Sequence, residues 1–221
     1  MPLNEIIFFI HIGVLAALTL MSLKLGKTAL CCLITLMSLS SNLFVLKQIN
    51  LFGLTVTAAD AYAICGLFSL NLLQEYFGKE SAKKLTTVNF FCLASFSLLS
   101  MIHLYYQPAA SDWTQLSYQE IFNLNPRIMA ASFLAFFLSQ QVDIYLFGVL
   151  RKKVFPNSFA KAACASSFTS QALDTLIFSF SALYGQVESM TNVILFSLVI
   201  KYISMAFMAP LLNLSKKLMR T

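Results

Sequence analysis

The chain has 221 residues, of which 58% are hydrophobic and 11% charged, and its mean hydropathy is +0.76. Soluble domains carry about 25% charged residues, so this composition excludes an ordinary water-soluble fold and points to a protein dissolved in lipid. The net charge of +6 needs no nucleic acid to explain it, because no basic stripe with interleaved aromatics marks a soluble face.

A helix needs about 20 apolar residues to cross a bilayer. Seven predicted spans meet that need: residues 3–23, 28–46, 56–77, 87–106, 128–150, 163–184 and 191–213. The expected fold class is therefore all-α, a polytopic transmembrane bundle forming one domain over residues 1–221.

The first span begins with Glu5 and no basic residue, while Lys24 and Lys27 follow it. A secretory signal has the reverse polarity, so the expectation is a retained helix with its N-terminus outside. The third span carries Asp60 near its outer end, Asn71 and Gln74 three residues apart, and Glu75 near its inner end. Asp60 is expected to reach water, and Glu75 to face headgroups or solvent. The connection from Gln107 to Arg127 holds Pro108, Asp112, Trp113 and Pro126 and reads as an interfacial lid or cap. The fifth span carries Gln140 and Asp143, the sixth Gln171 and Asp174, and the seventh Lys201.

Orientation follows from the cations. With the N-terminus outside, inner segments hold Lys24, Lys27, Lys79, Lys83, Lys84, Arg151, Lys152, Lys153, Lys161, Lys216, Lys217 and Arg220, and outer ones only Lys47 and Arg127. That asymmetry is the positive-inside signature. It places the C-terminus in the cytoplasm and assigns the Arg151–Lys153 cluster to topology.

The polar groups inside the spans carry the functional reading. A charge at the bilayer centre costs about 2.5–3.5 kcal/mol on insertion scales. Asp143 and Asp174 each sit three residues after a glutamine, and residues at i and i+3 share a helix face. Asn71 and Gln74 repeat the spacing, and Asn42 closes the polar patch of the second span. Such groups need partners within the bundle or a wet cavity, and those of neighbouring spans are expected to converge on one shared hollow that Asp143 faces. A carboxylate accepts two N–H bonds side by side, and a primary amide both donates and accepts. This chemistry suits purine-like bases, amines or a coupled proton alike.

Enzyme signatures are missing. There is no Walker loop, GxGxxG or HExxH, and His11 and His103 stand alone. The five cysteines show neither metal-site nor disulfide spacing. No nucleophile has a base beside it, and the stretches SLSSN and CASSFTS read as small-residue packing. No catalytic residue, metal or cofactor is expected.

The stretches SSNLFVLKQINLFG, LNLLQEYFGKESAKKL, ASFLAFFLSQQVDIYLFGVLRKK, ASSFTSQALDTLIFSFSALYG and VIKYISMAFMAPLLNLSKKL together resemble the queuosine precursor transporter family, also called the vitamin uptake transporter family. The resemblance runs from about Leu33 to Lys217. It implies a core of six helices over about 28–217, similar to the substrate-binding subunits of vitamin uptake systems, with residues 3–23 as an added helix. It implies a bacterial inner-membrane importer of a 7-deazapurine (7-deazaguanine) base for tRNA queuosine modification. The site residues it carries over are Asn42, Gln140, Asp143, Gln171, Asp174 and Lys201. Many members have an aspartate where this chain has Asn71, and a proline near Ile64 is also absent here. The lost carboxylate points to a changed substrate, queuine being the candidate. Two other readings stand beside this one: a substrate-binding subunit that docks an ATP-driven coupling partner, and a membrane enzyme using the two aspartates.

Overall fold

The computed structural model describes residues 3–45, 47–57, 59–122, 126–185 and 190–218. The elements in chain order are α1 (Leu3–Leu25), α2 (Lys27–Leu43), β1 (Gln48–Leu51), β2 (Leu54–Thr57), α3 (Asp60–Phe77), α4 (Lys79–Leu104), α5 (Gln115–Phe122), α6 (Pro126–Val149), α7 (Phe159–Phe178) and α8 (Met190–Leu218). Each of the seven expected spans overlaps a helix, and among the described residues the chain is mainly helical, with one hairpin and the irregular connection 105–114. Among the described residues, Leu3–Leu25, Lys79–Leu104 and Ala130–Val154 are long and apolar enough to cross a membrane.

The helices extend beyond the apolar runs that announce them. Helix α4 starts at Lys79, well before residue 87, because Lys, Glu and Ala are strong helix formers and the backbone ladder continues past the edge of the lipid-soluble stretch. Gly78 makes the corner between α3 and α4 at φ 88°, a conformation that costs a residue with a Cβ.

Two elements are absent from the hydropathy reading. Strands β1 and β2 pair antiparallel, Gln48 opposite Thr57 and Leu51 opposite Leu54. Phe52 and Gly53 both have positive φ in the turn, the geometry that a two-residue hairpin needs. Glu5 locks this hairpin onto α1: its Oε1 accepts from Phe52 N at 2.7 Å, and Asn4 Nδ2 donates to Asn50 O at 3.1 Å. The second is α5, which lies in the connection expected to form a cap. Its Tyr118 and Phe122 rings stack, and Phe122 meets Phe96 of α4 edge-on.

Helix α3 is the centre of the bundle. It is buried without interruption from Ile64 to Gln74 and touches α1, α2, α4, α6, α7 and α8. Helices α1 and α4 instead turn Ile6, Ile10, Val14, Phe91, Leu98 and Leu99 outward, the apolar exterior expected where lipid is the solvent. Helix α6 packs most extensively on α7. The central helix is thus also the polar one, and that places its amides against the acids of α6 and α7.

Both helices of that pair end in π-helical turns, Leu150–Val154 and Ser179–Leu183. The first turn carries Arg151, which forks onto Glu75: Nε lies 2.9 Å from both carboxylate oxygens and Nη2 2.6 Å from Oε1. Arg151 also caps the carbonyls of Phe155 and Pro156. This corrects two expectations. Glu75 does not face open solvent, and Arg151 does more than set topology: it clamps α3 to α6. Asp60 differs as well. It is 6% exposed at the head of α3, where Lys201 of α8 lies within electrostatic reach.

Candidate functional site

Asp143 has no exposed surface. Its Oδ1 accepts hydrogen bonds from Ser167 Oγ at 3.2 Å and Ser170 Oγ at 3.0 Å. Ser166 and Asn71 face the same carboxylate. Asn71 Nδ2 in turn donates to Ser167 Oγ at 3.1 Å. Three helices, α3, α6 and α7, therefore meet in one chain of hydrogen bonds that runs amide to hydroxyl to carboxylate. The serines lie three apart on α7, on the face turned to α6.

Asp174 has a different partner. Its Oδ2 pairs with Lys201 Nζ at 3.0 Å, and Lys201 also donates to Thr175 Oγ1 at 3.1 Å. Ser139 Oγ lies 3.5 Å from Asp174 Oδ1. Asp60 lies within electrostatic reach of both Lys201 and Asp174. The two aspartates, alike in sequence setting, sit in unlike electrical surroundings. Asp174 is held by a cation, while Asp143 is held by neutral hydroxyls.

Besides Glu5 Oε2 on α1, five amide and acid groups on α3, α6 and α7 keep an unsatisfied atom among the described residues. Asn71 Oδ1, Gln74 Oε1, Gln140 Oε1, Asp143 Oδ2 and Gln171 Oε1 are buried with no hydrogen-bond partner. Buried polar atoms are nearly always paired in folded proteins, so five together on three facing helices mark a place where a ligand's donors fit. Gln74 is anchored at its other end, where Nε2 donates to Ile144 O at 3.0 Å.

Asn42 stands apart from this cluster. Its Oδ1 accepts from Ser132 at 3.0 Å and its Nδ2 donates to Ser38 O at 3.0 Å, so it ties α2 to α6. It also lines a cavity of about 40 Å³ with Leu93, Phe96, Ser97, Phe122 and Phe133. The shared hollow expected around the glutamines and aspartates is not this cavity, whose walls include none of Gln140, Asp143, Gln171 and Asp174. In this conformation the helices close over Gln140, Asp143 and Gln171 and leave Asp174 partly exposed.

The structure thus links Asn71 to Asp143 through Ser167, buries Gln140 and Gln171 on the helices that carry Asp143 and Ser167, pairs Asp174 with Lys201, and leaves Asn42 apart between α2 and α6. Sequence reasoning missed Ser139, Ser167, Ser170 and Thr175. The CASSFTS stretch, expected to be packing, supplies both donors to Asp143. The available signal was its place one turn before Gln171 and Asp174 on the same helix.

A family model described as "Putative vitamin uptake transporter" matches residues 57–215. A protein of Bacillus subtilis (strain 168) named "Probable queuosine precursor transporter" is 32% identical over 162 residues, which is 72% of this chain and 70% of that protein. The family match runs from the last residue of β2 through α3, α4, α5, α6 and α7 and into α8 as far as Ser215, and so contains every residue of the polar cluster except Asn42. No solved structure matches the chain.

Proposed function

Since the chain belongs to the vitamin uptake transporter family, we propose that it carries a 7-deazaguanine base, a queuosine precursor or queuine itself, across the bacterial inner membrane to feed tRNA modification. The substrate class follows the printed name of the relative from Bacillus subtilis and the chemistry of the cluster. The observation that carries it is Asp143, an acid with no exposed surface, held by two serine hydroxyls on one oxygen and open on the other. A 7-deazaguanine ring presents N1–H and a 2-amino group along one edge. Asp143 Oδ2 can accept one of these donors, and the unpartnered oxygens of the neighbouring amides can accept the others.

In this reading Asp143 takes the donor edge of the ring, flanked by Asn71, Gln140 and Gln171. Asp174 and Lys201 form the polar wall beside it, and Asn42 lines the approach. Transport needs no chemical change of the ligand, so the protein acts as a carrier and not an enzyme. Seven crossings with the N-terminus outside and the C-terminus in the cytoplasm fit the distribution of basic residues.

The test uses a cell that lacks the biosynthetic route and depends on an added base. Queuosine in its tRNA is expected with the wild-type chain and lost with D143A or D174A, while immunoblots of membranes show each variant inserted. Normal queuosine with both aspartates replaced overturns the site assignment.

A further inference from the structure

We propose that Ser167 and Ser170 are positioning residues that aim Asp143, and that they make the site select ligands with two adjacent N–H donors over ligands with one. The inference rests on the reading of Asp143 as the ring-edge acceptor.

The hydrogen-bond chain has a fixed direction. Asn71 Nδ2 can only donate, so Ser167 Oγ accepts from it at 3.1 Å. The single hydroxyl hydrogen of Ser167 is then free to go to Asp143 Oδ1 at 3.2 Å. Ser170 Oγ has two acceptors in reach, Asp143 Oδ1 at 3.0 Å and Ser167 O at 3.2 Å. The carboxylate oxygen is the nearer of the two, so Ser170 also points at the acid. Both donors thus reach the same oxygen and anchor one edge of the acid. The other oxygen, Oδ2, is buried and unpartnered.

The same chain sets the amide of Asn71. With its nitrogen committed to Ser167, its Oδ1 is left as an acceptor without a donor. Gln140 Oε1, one turn before Asp143, and Gln171 Oε1, next to Ser170, are in the same state. The buried atoms left without a partner around the carboxylate are all acceptors. A ligand that lies there must bring hydrogens. A ring N–H beside an exocyclic amino group brings three; a ring N–H alone brings one and leaves buried acceptors unmatched. An unmatched buried acceptor weakens binding by about tenfold or more.

Without the serines, Asp143 can rotate and offer its two oxygens to other donors, such as the amide hydrogens of the nearby glutamines. The acid remains, but its aim is lost. The predicted loss is therefore in discrimination, a quantity that a purely structural defect does not move.

The experiment is calorimetric binding to the full chain in nanodiscs, using 7-deazaguanine and 7-deazahypoxanthine, which differ by the 2-amino group alone. The wild-type chain is expected to prefer 7-deazaguanine by at least about tenfold. The S167A/S170A variant is expected to bring that ratio near one, and S170T, which keeps the hydroxyl, to restore most of it relative to S170A. An unchanged ratio in the double variant overturns the proposal, as does an equal loss of affinity for both ligands. Equal binding of the two by the wild type overturns this proposal alone. Binding of neither overturns the reading of the transported base, and this proposal with it. Variants whose thermal transition in detergent falls are measured at lower temperature, where the ratio remains readable.

Discussion

Asp174 and Asp143 each follow a glutamine by three residues, yet only Asp174 has a cation in contact. The consequence is measurable. Removing the ammonium in K201M leaves a partly buried carboxylate uncompensated, and an orphaned polar partner costs about 1–3 kcal/mol. Some solvent reaches Asp174, whose side chain is 24% exposed, which keeps the cost at the lower end. The thermal transition of the purified K201M protein is therefore expected below wild type, with D174N/K201M recovering part of the loss. A double variant no better than K201M indicates that Lys201 is held by something other than Asp174. The serines teach a related lesson. Thr19, Ser38, Thr86 and Ser204 return their hydroxyls to their own helix backbone, the common habit of such residues in apolar helices. Sequence does not separate these from Ser167 and Ser170, because the choice depends on what the facing helix presents.

Helix α3 meets α6 closely at Gly148. A Cβ added there would lie 3.1 Å from Gln74 Nε2, the atom that donates to Ile144 O. The amide is the flexible end of its side chain, so G148A is expected to be tolerated. G148L must push α3 away or displace Gln74, and overpacking of this kind costs about 1–3 kcal/mol. The expected outcome is a lowered thermal transition for G148L and loss of ligand binding, checked by the same calorimetry; wild-type values would show that the two helices are not in close contact. The Arg151–Glu75 fork belongs to the same seam. Its side chains are 23% and 21% exposed, so E75Q is expected to cost only about 1 kcal/mol or less, read again from the thermal transition. Element boundaries were the least legible part of the sequence. Hydropathy marks where lipid is the solvent, whereas a helix ends where its backbone bonds end. The hairpin was hidden because its alternating Ile49, Leu51 and Leu54 lie in the short connection between two expected spans and Val56 was taken as the start of the third.

The exterior of the bundle is apolar, as its composition announced, and polar groups are gathered inside an otherwise apolar core at the seam of α3, α6 and α7. The orientation proposed from the basic residues is open to a direct check. Trp113, 85% exposed beside α5, and Lys152, in the π-helical turn after α6, belong to opposite sides in that reading. A membrane-impermeant maleimide added to intact cells is expected to label W113C above the background of the native cysteines, and to label K152C only after permeabilisation. Labelling in the reverse order inverts the topology.

By itself the sequence determined that this is a multi-span helical chain, which residues are too polar to leave in lipid, and which family it joins. These follow from solvent: a bilayer tolerates long apolar helices and penalises each stray polar atom, so the pattern is written locally. Only the tertiary structure decided which polar groups satisfy one another. Packing joined Lys201 to Asp174, gave Asp143 to two serines, clamped Glu75 with Arg151 and left five acceptor oxygens open, because a hydrogen bond between helices depends on their relative rotation and depth, which no single helix encodes.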